Sequence, residues 1–336
     1  MEAALGLGAS WPGAVAVSGG GDSTALLLLL VDWARTSERQ APIVLTVDHG
    51  LRPDASREAT EVARRARARN LEAHVLRWRG RKPRSNVEGA AREARYRLMG
   101  EWCLANDIGC LYVAHTIDDQ AETFLLRLAR GSGVDGLAGM AEVSSLPSPA
   151  SGRTRVARPL LGVSRKRLRA FLEARGETWL EDEMNSEPQF ARVRLRAAWP
   201  AFEGAGLSAE RVAGAARHLA RARAALDHDS VDLLSRAARR SGEGILLDGT
   251  QIAAAPEEIG LRALASVLMQ IAGRSYRPRF ERLERLFEAL RAGTLGAGRT
   301  LHGCSIRPAR RQDAGFGPGT VRISREAERR GAVRYD

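Results

Sequence analysis

Six residues near the N-terminus, Ser18-Gly19-Gly20-Gly21-Asp22-Ser23, have the composition of a phosphate cradle. Glycines let backbone N–H groups approach an oxyanion with no Cβ in the way. The turn lies between an apolar run, Ala14–Val17, and a stretch that reads as a buried helix, Thr24–Trp33. A helix start adds unpaired N–H donors and the positive end of a dipole. Ser18 and Ser23 bring hydroxyls, and Asp22 brings a carboxylate. Each hydrogen bond to a charged oxygen contributes about 1.5–3 kcal/mol, so a few suffice for tight binding. No GK[ST] follows, and no GxGxxG with a following dinucleotide pattern is present, which argues against a Walker-type nucleotidase and a dinucleotide site. The plain alternative is a glycine-rich turn with no ligand.

A second group is acidic. In His115-Thr116-Ile117-Asp118-Asp119-Gln120-Ala121-Glu122-Thr123, three carboxylates fall within about one helical turn. Asp118 and Glu122 share a helix face, and Asp119 lies about 100° round from Asp118. Two readings stand: acids capping a helix dipole, or carboxylates that hold a metal (Asp118, Asp119) and accept a proton (Asp119, Glu122). Mg²⁺ suits such carboxylates when phosphate oxygens complete its shell. His115 alone reads as an ordinary strand-end histidine. Val47-Asp48-His49-Gly50-Leu51-Arg52 ends another apolar run, and Gly50 also fits a plain strand-ending turn.

These segments need elements to position them. Ala14–Val17, Ile43–Val47, Ala73–Leu76 and Leu111–Ala114 read as strands. Between and after them, Ala55–Asn70, Val87–Asn106, Ile117–Arg130 and Ser164–Arg175 read as helices. Alternation of this kind implies a parallel sheet with helices on both faces. Ligands then bind beyond the carboxyl ends of the strands, where all three motifs fall. Ser144–Gly152 is a Ser/Pro loop, a connector or a lid. Glu203–Gly206 marks a boundary, giving a first domain at 1–205 and a second at 206–336. The second is expected to be mostly helical α+β. Val212, Ala215, Leu219, Ala222 and Leu226 recur at helical spacing. Further helices are expected at Pro256–Ala272 and Arg279–Ala292, and a strand pair at Thr300–Arg307 and Thr320–Ser324.

The chain has 336 residues and a net charge of +12, of which +4 falls in residues 1–205 and +8 in 206–336. Lysine occurs only at Lys82 and Lys166. A polyanionic partner follows, nucleic acid ahead of a membrane surface. Arg77–Arg84 packs five cations around Trp78; such a loop can grip phosphates, stack a base, or simply be solvated. The three cysteines include no CxxC, which argues against zinc, an iron–sulfur cluster or a disulfide framework. The longest apolar run, Ala25–Val31, is too short for a membrane span, and the first ten residues carry no basic signal region. A reducing, cytoplasmic compartment is expected, with no membrane partner.

The glycine turn resembles the SGGxDS loop of the N-type ATP pyrophosphatases, the PP-loop superfamily. In order, SGGGDS, VDHGLR, Arg92-Glu93-Ala94-Arg95-Tyr96 and HTIDDQAET resemble the tRNA(Ile)-lysidine synthetase family. Arg130–Met140, Arg158-Pro159-Leu160-Leu161 and Trp179–Asn185 resemble later segments of that family. One departure is Arg192-Val193-Arg194-Leu195-Arg196, where the family shows RNRxR and Val193 replaces an amide. The resemblance implies a five-stranded parallel sheet of the adenine nucleotide α-hydrolase type. It implies ATP bound by Ser18–Ser23 with Asp48, His49 and His115, and Mg²⁺ beside it. It implies free L-lysine and a tRNA(Ile) with a CAU anticodon as substrates. Asp22, Asp118, Asp119 and Glu122 are the catalytic candidates. Arg95 or Arg194 would take the lysine carboxylate, Glu122 its ammonium, and Arg130 and Arg192 complete the substrate-binding set. A tRNA thiolase is the alternative. Oligomeric state stays open, a dimer being one option.

Overall fold

The computed structural model describes residues 1–83, 85–147, 152–180, 191–274, 276–310 and 315–326. Glu181–Asn185 and residues 148–151 of the Ser/Pro loop therefore lie outside the described residues, as does Arg84. The chain divides into two compact units, 1–220 and 221–336.

In the first unit the elements run α1 (Glu2–Gly6), β1 (Ala14–Ala16), α2 (Gly21–Thr36), β2 (Ile43–Asp48), α3 (Ala55–Arg67), β3 (Ala73–Arg77) and α4 (Val87–Ala105). They continue with β4 (Cys110–Tyr112), α5 (Ile117–Leu128), α6 (Val134–Leu137), β5 (Val143–Ser145), β6 (Arg155–Ala157), α7 (Arg165–Glu173) and α8 (Ala191–Gly204). Helix α9 (Ala209–Ala237) gives its first three turns to this unit and the rest to the second.

Strand order is β3-β2-β1-β4-β6-β5. Five strands are parallel, as expected, and β5 adds an antiparallel edge on β6. The four strands read from the sequence are present within two residues at each end. The fifth is β6, and both edges of Val156 face partners, Leu111 of β4 and Ser144 of β5. Alternation along β1 places Ala14 in one core and Val15 in the other. Val15 packs with Leu26 of α2, Val62 of α3 and Leu172 of α7. Ala14 packs with Tyr96, Met99 and Cys103 of α4. Helices thus cover both faces, the condition for burying a parallel sheet. Chain direction across the sheet reverses between β1 and β4, so their carboxyl ends open onto one crevice.

The second unit continues with β7 (Ala238–Ser241), β8 (Gly244–Asp248), α10 (Gly249–Ala254), α11 (Glu257–Ala272), α12 (Phe280–Arg291), β9 (Arg299–Leu301), β10 (Cys304–Pro308) and β11 (Thr320–Arg325). Its sheet is antiparallel, ordered β7-β8-β11-β10-β9. The strand expected at Thr300–Arg307 is two strands. His302 and Gly303 both take positive φ, 59° and 79°, and turn the chain between them. Leu264 and Leu268 of α11 and Phe287 of α12 pack on Leu247, Ile306 and Ile323 of the sheet. Among the described residues no helix is long and apolar enough to cross a membrane.

Candidate active site

The glycine turn leaves β1 and starts α2 at Gly21, with Gly20 as an extended N-cap that receives no side-chain cap. The first amides of α2 are therefore open donors. The turn is tied internally. The Ser18 amide donates to Ser23 Oγ at 3.2 Å, Ser23 Oγ donates to the Gly20 carbonyl at 2.9 Å, and Thr24 Oγ1 donates to the Gly19 carbonyl at 3.3 Å. Gly19 has φ +93°, and a Cβ there would lie 2.7 Å from Leu180 Cδ1. Gly20 is different: a Cβ would meet nothing closer than Ser18 Oγ at 3.7 Å. One face of the turn is thus packed and one is open.

The packed face is held by a segment whose role sequence reading missed. The Leu180 amide donates to the Gly19 carbonyl at 2.9 Å. The Trp179 ring would lie 3.6 Å from a Cβ at Gly21. Arg65 of α3 donates to the Thr178 carbonyl at 3.0 Å, and Arg69 pairs with Glu177 at 2.5 Å.

Across the crevice, α5 begins with a reciprocal cap. Asp119 Oδ2 accepts from the Thr116 amide and hydroxyl, each at 2.8 Å, and the Asp119 amide donates to Thr116 Oγ1 at 3.3 Å. The capping reading of Asp119 is realised, but only one of its oxygens serves it. Asp119 Oδ1 takes Arg165 Nη2 at 2.5 Å. The same guanidinium reaches Glu122 Oε1 at 2.7 Å and Asp22 Oδ2 at 3.3 Å. The backbone N–H of Arg165 donates to Asp118 Oδ2 at 2.9 Å. Arg196 adds a second cation, with Nε 2.7 Å from Glu122 Oε1. Arg165 thus joins the glycine turn to the acidic turn.

Charge follows from these contacts. Burial would raise the Asp119 carboxyl, but Arg165 and the Thr116 amide hold it below the ordinary carboxylate range. Asp22 goes the other way: burial raises it, with Asp119 adding repulsion and Arg165 opposing. Burial pushes His115 down to about 3 against the pull of Asp119, so its imidazole is neutral at pH 7. His115 Nδ1 is buried with no hydrogen-bond partner, unlike the satisfied histidine the sequence suggested.

The remaining candidates are placed as follows. Asp48 ends β2, is buried, and accepts from the Gly50 amide at 2.9 Å. The His49 ring meets Trp78 edge-on, and Lys82 lies over Trp78 with its ammonium donating to the Trp78 carbonyl. The segment Trp78–Lys82 thus folds back over the end of β2. Arg95 is partly buried on α4. Arg130 is not brought to the cluster: it is exposed past the end of α5, about 16 Å along the helix from Asp119. Arg194 is exposed, and the arginine that reaches Glu122 is Arg196. Neither Arg165 nor Arg196 stood out in the sequence. A signal existed for Arg165: α7 opens on Arg165, Lys166 and Arg167 after Ser164, three cations at the dipole end that repels them.

Among the described residues no three acidic, histidine or cysteine side chains are grouped to hold a metal ion by themselves, so a divalent cation at this cluster would need phosphate oxygens to complete its shell. Three carboxylates face two guanidinium groups and Asp118 accepts from the Arg165 backbone N–H, which leaves two formal negative charges. Asp22 and Asp118 each commit one oxygen to Arg165, and one or two carboxylates suffice for Mg²⁺ beside phosphate.

A doubly wound sheet with a glycine turn and a carboxylate turn at its switch point defines a class, and residues 12–200 match the family described as the PP-loop domain. The chain is 38% identical over 296 residues to a tRNA(Ile)-lysidine synthase of Wolbachia pipientis, covering 88% of this chain and 68% of that one. To the Methylobacterium nodulans protein of that name it is 42% identical over 312 residues, covering 89% of each. To the Ruegeria pomeroyi one it is 40% identical over 277 residues, covering 82% of this chain and 65% of that one. The chain belongs to the tRNA(Ile)-lysidine synthase family. A solved structure, the U34-tRNA thiolase NcsA of Methanococcus maripaludis, is similar in fold alone, with a TM-score of 0.51 at 16% identity, covering 61% of this chain and 71% of that one.

Proposed function

We propose that the protein joins free L-lysine to C2 of the wobble cytidine of a tRNA(Ile) with a CAU anticodon, using ATP. ATP would adenylate the C2 carbonyl oxygen and release pyrophosphate. The lysine ε-amine would then attack C2, and AMP would leave with that oxygen. What supports this most is the Asp22–Arg165–Asp119 bridge, which unites phosphate cradle and acids in one cluster.

The residues divide the work. The open amides at Gly21–Ser23 and the Gly20 face take the β and γ phosphates, where charge develops on the leaving group. Asp22 and Asp118 would hold Mg²⁺, which neutralises phosphate charge when bound. A lysine amine with pKa about 10.4 costs roughly 4.6 kcal/mol to deprotonate at pH 7. Asp119 is assigned as the proton acceptor, and Glu122 with Arg165 and Arg196 sets the electrostatics around the incoming ammonium. Residues 206–336, with their +8 surplus, are assigned to the body of the tRNA, and the compartment to the cytoplasm. Sulfur transfer, the alternative, is disfavoured by the thiols: Cys103, Cys110 and Cys304 are all buried, and burial pushes Cys103 up to about 12.

Incubation with ATP, labelled lysine and tRNA tests the reading. Lysine incorporation that requires both ATP and the CAU anticodon is expected; AMP release without incorporation, or label from a sulfur donor, would overturn it. The glycines give a sharper contrast. Gly19→Ala is expected to lower stability by about 1–3 kcal/mol, since its φ is +93° and Leu180 fills the space. Gly20→Ala is expected to keep the melting temperature and weaken ATP binding by about tenfold in calorimetry. Unchanged ATP affinity would remove Gly20 from the cradle.

A further inference from the structure

The Arg92–Tyr96 motif finds no use in the cluster around Arg165. Tyr96 is buried, and the guanidinium carbons of Arg92 and Arg95 lie 5.1 and 5.7 Å from its ring centroid. Arg158, just past β6, also reaches the Tyr96 side chain. It is 6% exposed, and its Nη1 donates to the Ala141 carbonyl at 2.8 Å and Ser144 Oγ at 3.0 Å. Its Nε is buried with no hydrogen-bond partner. Arg192, at the start of α8, is within electrostatic reach of Arg95. His115 feels Arg92, Arg95 and Arg158, and also Asp119.

Two other deeply placed arginines in this chain are compensated by acids. Arg165 faces Asp22, Asp119 and Glu122, and Arg262 pairs with Asp227 and Glu258. Among the described residues Arg92, Arg95, Arg158 and Arg192 form no ion pair. Burial lowers both Arg95 and Arg158, with like charges adding to it. Gathering cations in a partly dry site with no acid is costly, and a bound anion removes that cost.

We infer that Arg92, Arg95, Arg158 and Arg192 form a binding site for the RNA phosphodiester backbone that flanks the reacting nucleotide. The inference rests on the function proposed above. A base acted on by an enzyme must leave its stack, so the adjoining backbone has to be held beside the pocket. Arg92, Arg95 and Arg158 lie within electrostatic range of His115, which directly precedes the Thr116 cap of the acidic turn, so the anion site adjoins that turn. Guanidinium forks match phosphate oxygens. Several cations without a carboxylate suit consecutive phosphodiesters. An amino acid supplies one carboxylate and also needs an acid for its ammonium, which this cluster lacks.

The test uses the full chain with Arg92→Gln and Arg158→Gln, and measures tRNA affinity by fluorescence anisotropy across salt concentrations. Each variant is expected to weaken tRNA binding about tenfold and to reduce the salt slope by about 0.7. KM for lysine and for ATP should stay at the wild-type value, and Arg92→Lys should keep the slope. In the unsubstituted protein, tRNA should shield Arg92 from phenylglyoxal, while lysine or ATP should not; this readout needs no variant to fold. Shielding by lysine with a raised lysine KM would overturn the inference in favour of a carboxylate site. Shielding by ATP would overturn it in favour of the nucleotide. Normal lysine incorporation with an unchanged salt slope defeats this inference alone. A reduced slope in a protein that incorporates no lysine defeats the proposed reaction instead.

Discussion

Replacing Arg165 with alanine is expected to reduce turnover about a hundredfold or more and to destabilise the protein by about 3 kcal/mol at pH 8. The guanidinium is the shared counter-charge of Asp22, Asp119 and Glu122, and Glu122 is 2% exposed. Removing it leaves carboxylates a few ångströms apart with Arg196 as the cation remaining on Glu122. The sign of the pH dependence follows from Asp119. Its folded pKa is depressed, so its contribution is present above the unfolded value near 4 and is lost as pH falls through the folded value. Without Arg165, burial and the repulsion between Asp119 and Asp22 act unopposed by that charge, and the folded pKa rises above the unfolded one. The variant then loses stability as pH rises from about 4 to its new folded value. Urea unfolding of both proteins at pH 4.5 and pH 8 reads this out: the gap should already be present at the lower pH, where wild-type Asp119 is ionised, and wider at the higher. A gap independent of pH would mean that the acids are not held by Arg165. Arg165→Lys keeps the charge but cannot span three carboxylates, so it should recover stability more than turnover.

What the sequence disclosed and what it hid have physical reasons. The central strands were legible because both faces are covered, which demands largely apolar, β-branched runs such as Ile43–Val47. Strand β6 was not. Three residues beginning with an arginine carry no period, and its existence depends on pairing with β4 and β5. In the second unit, Ala238–Ser241 has no strand pattern either, and pairs because β8 offers an edge. The phosphate turn and the acids were legible because their chemistry is concentrated in a few adjacent residues. Arg165 and Arg196 were hidden by abundance: in a chain of +12 net charge, one arginine among many looks like a solvated face. Arg194 was preferred to Arg196 on motif grounds, yet two residues on a helix differ by about 200°, so the neighbouring arginine points to the opposite side. Only the packing of α8 on α5 selects between them. Spacing placed the acids correctly but could not show that Asp119 and Glu122 pair with a guanidinium 43–46 residues further on.

Asp119→Asn separates the two readings of the acidic turn. If Asp119 only caps α5, asparagine should serve almost as well, since the two residues rank together at helix N-termini. Its amide oxygen can still accept from Thr116, whose N–H and hydroxyl both lie 2.8 Å from the present carboxylate. The cap itself should therefore cost about 1 kcal/mol or less, and any larger loss of stability reports the ion pair with Arg165. Turnover should fall by about a thousandfold, because an amide cannot accept the proton of the attacking amine. The lysine KM should move little, since Glu122 keeps its contacts with Arg165 and Arg196. Calorimetry and single-turnover lysine incorporation on the same preparation measure the two quantities together. A small loss of turnover with a normal melting temperature would strip Asp119 of the proton and leave it a helix cap. A large loss of both would show that the Arg165 bridge, and not the proton, is what the carboxylate supplies.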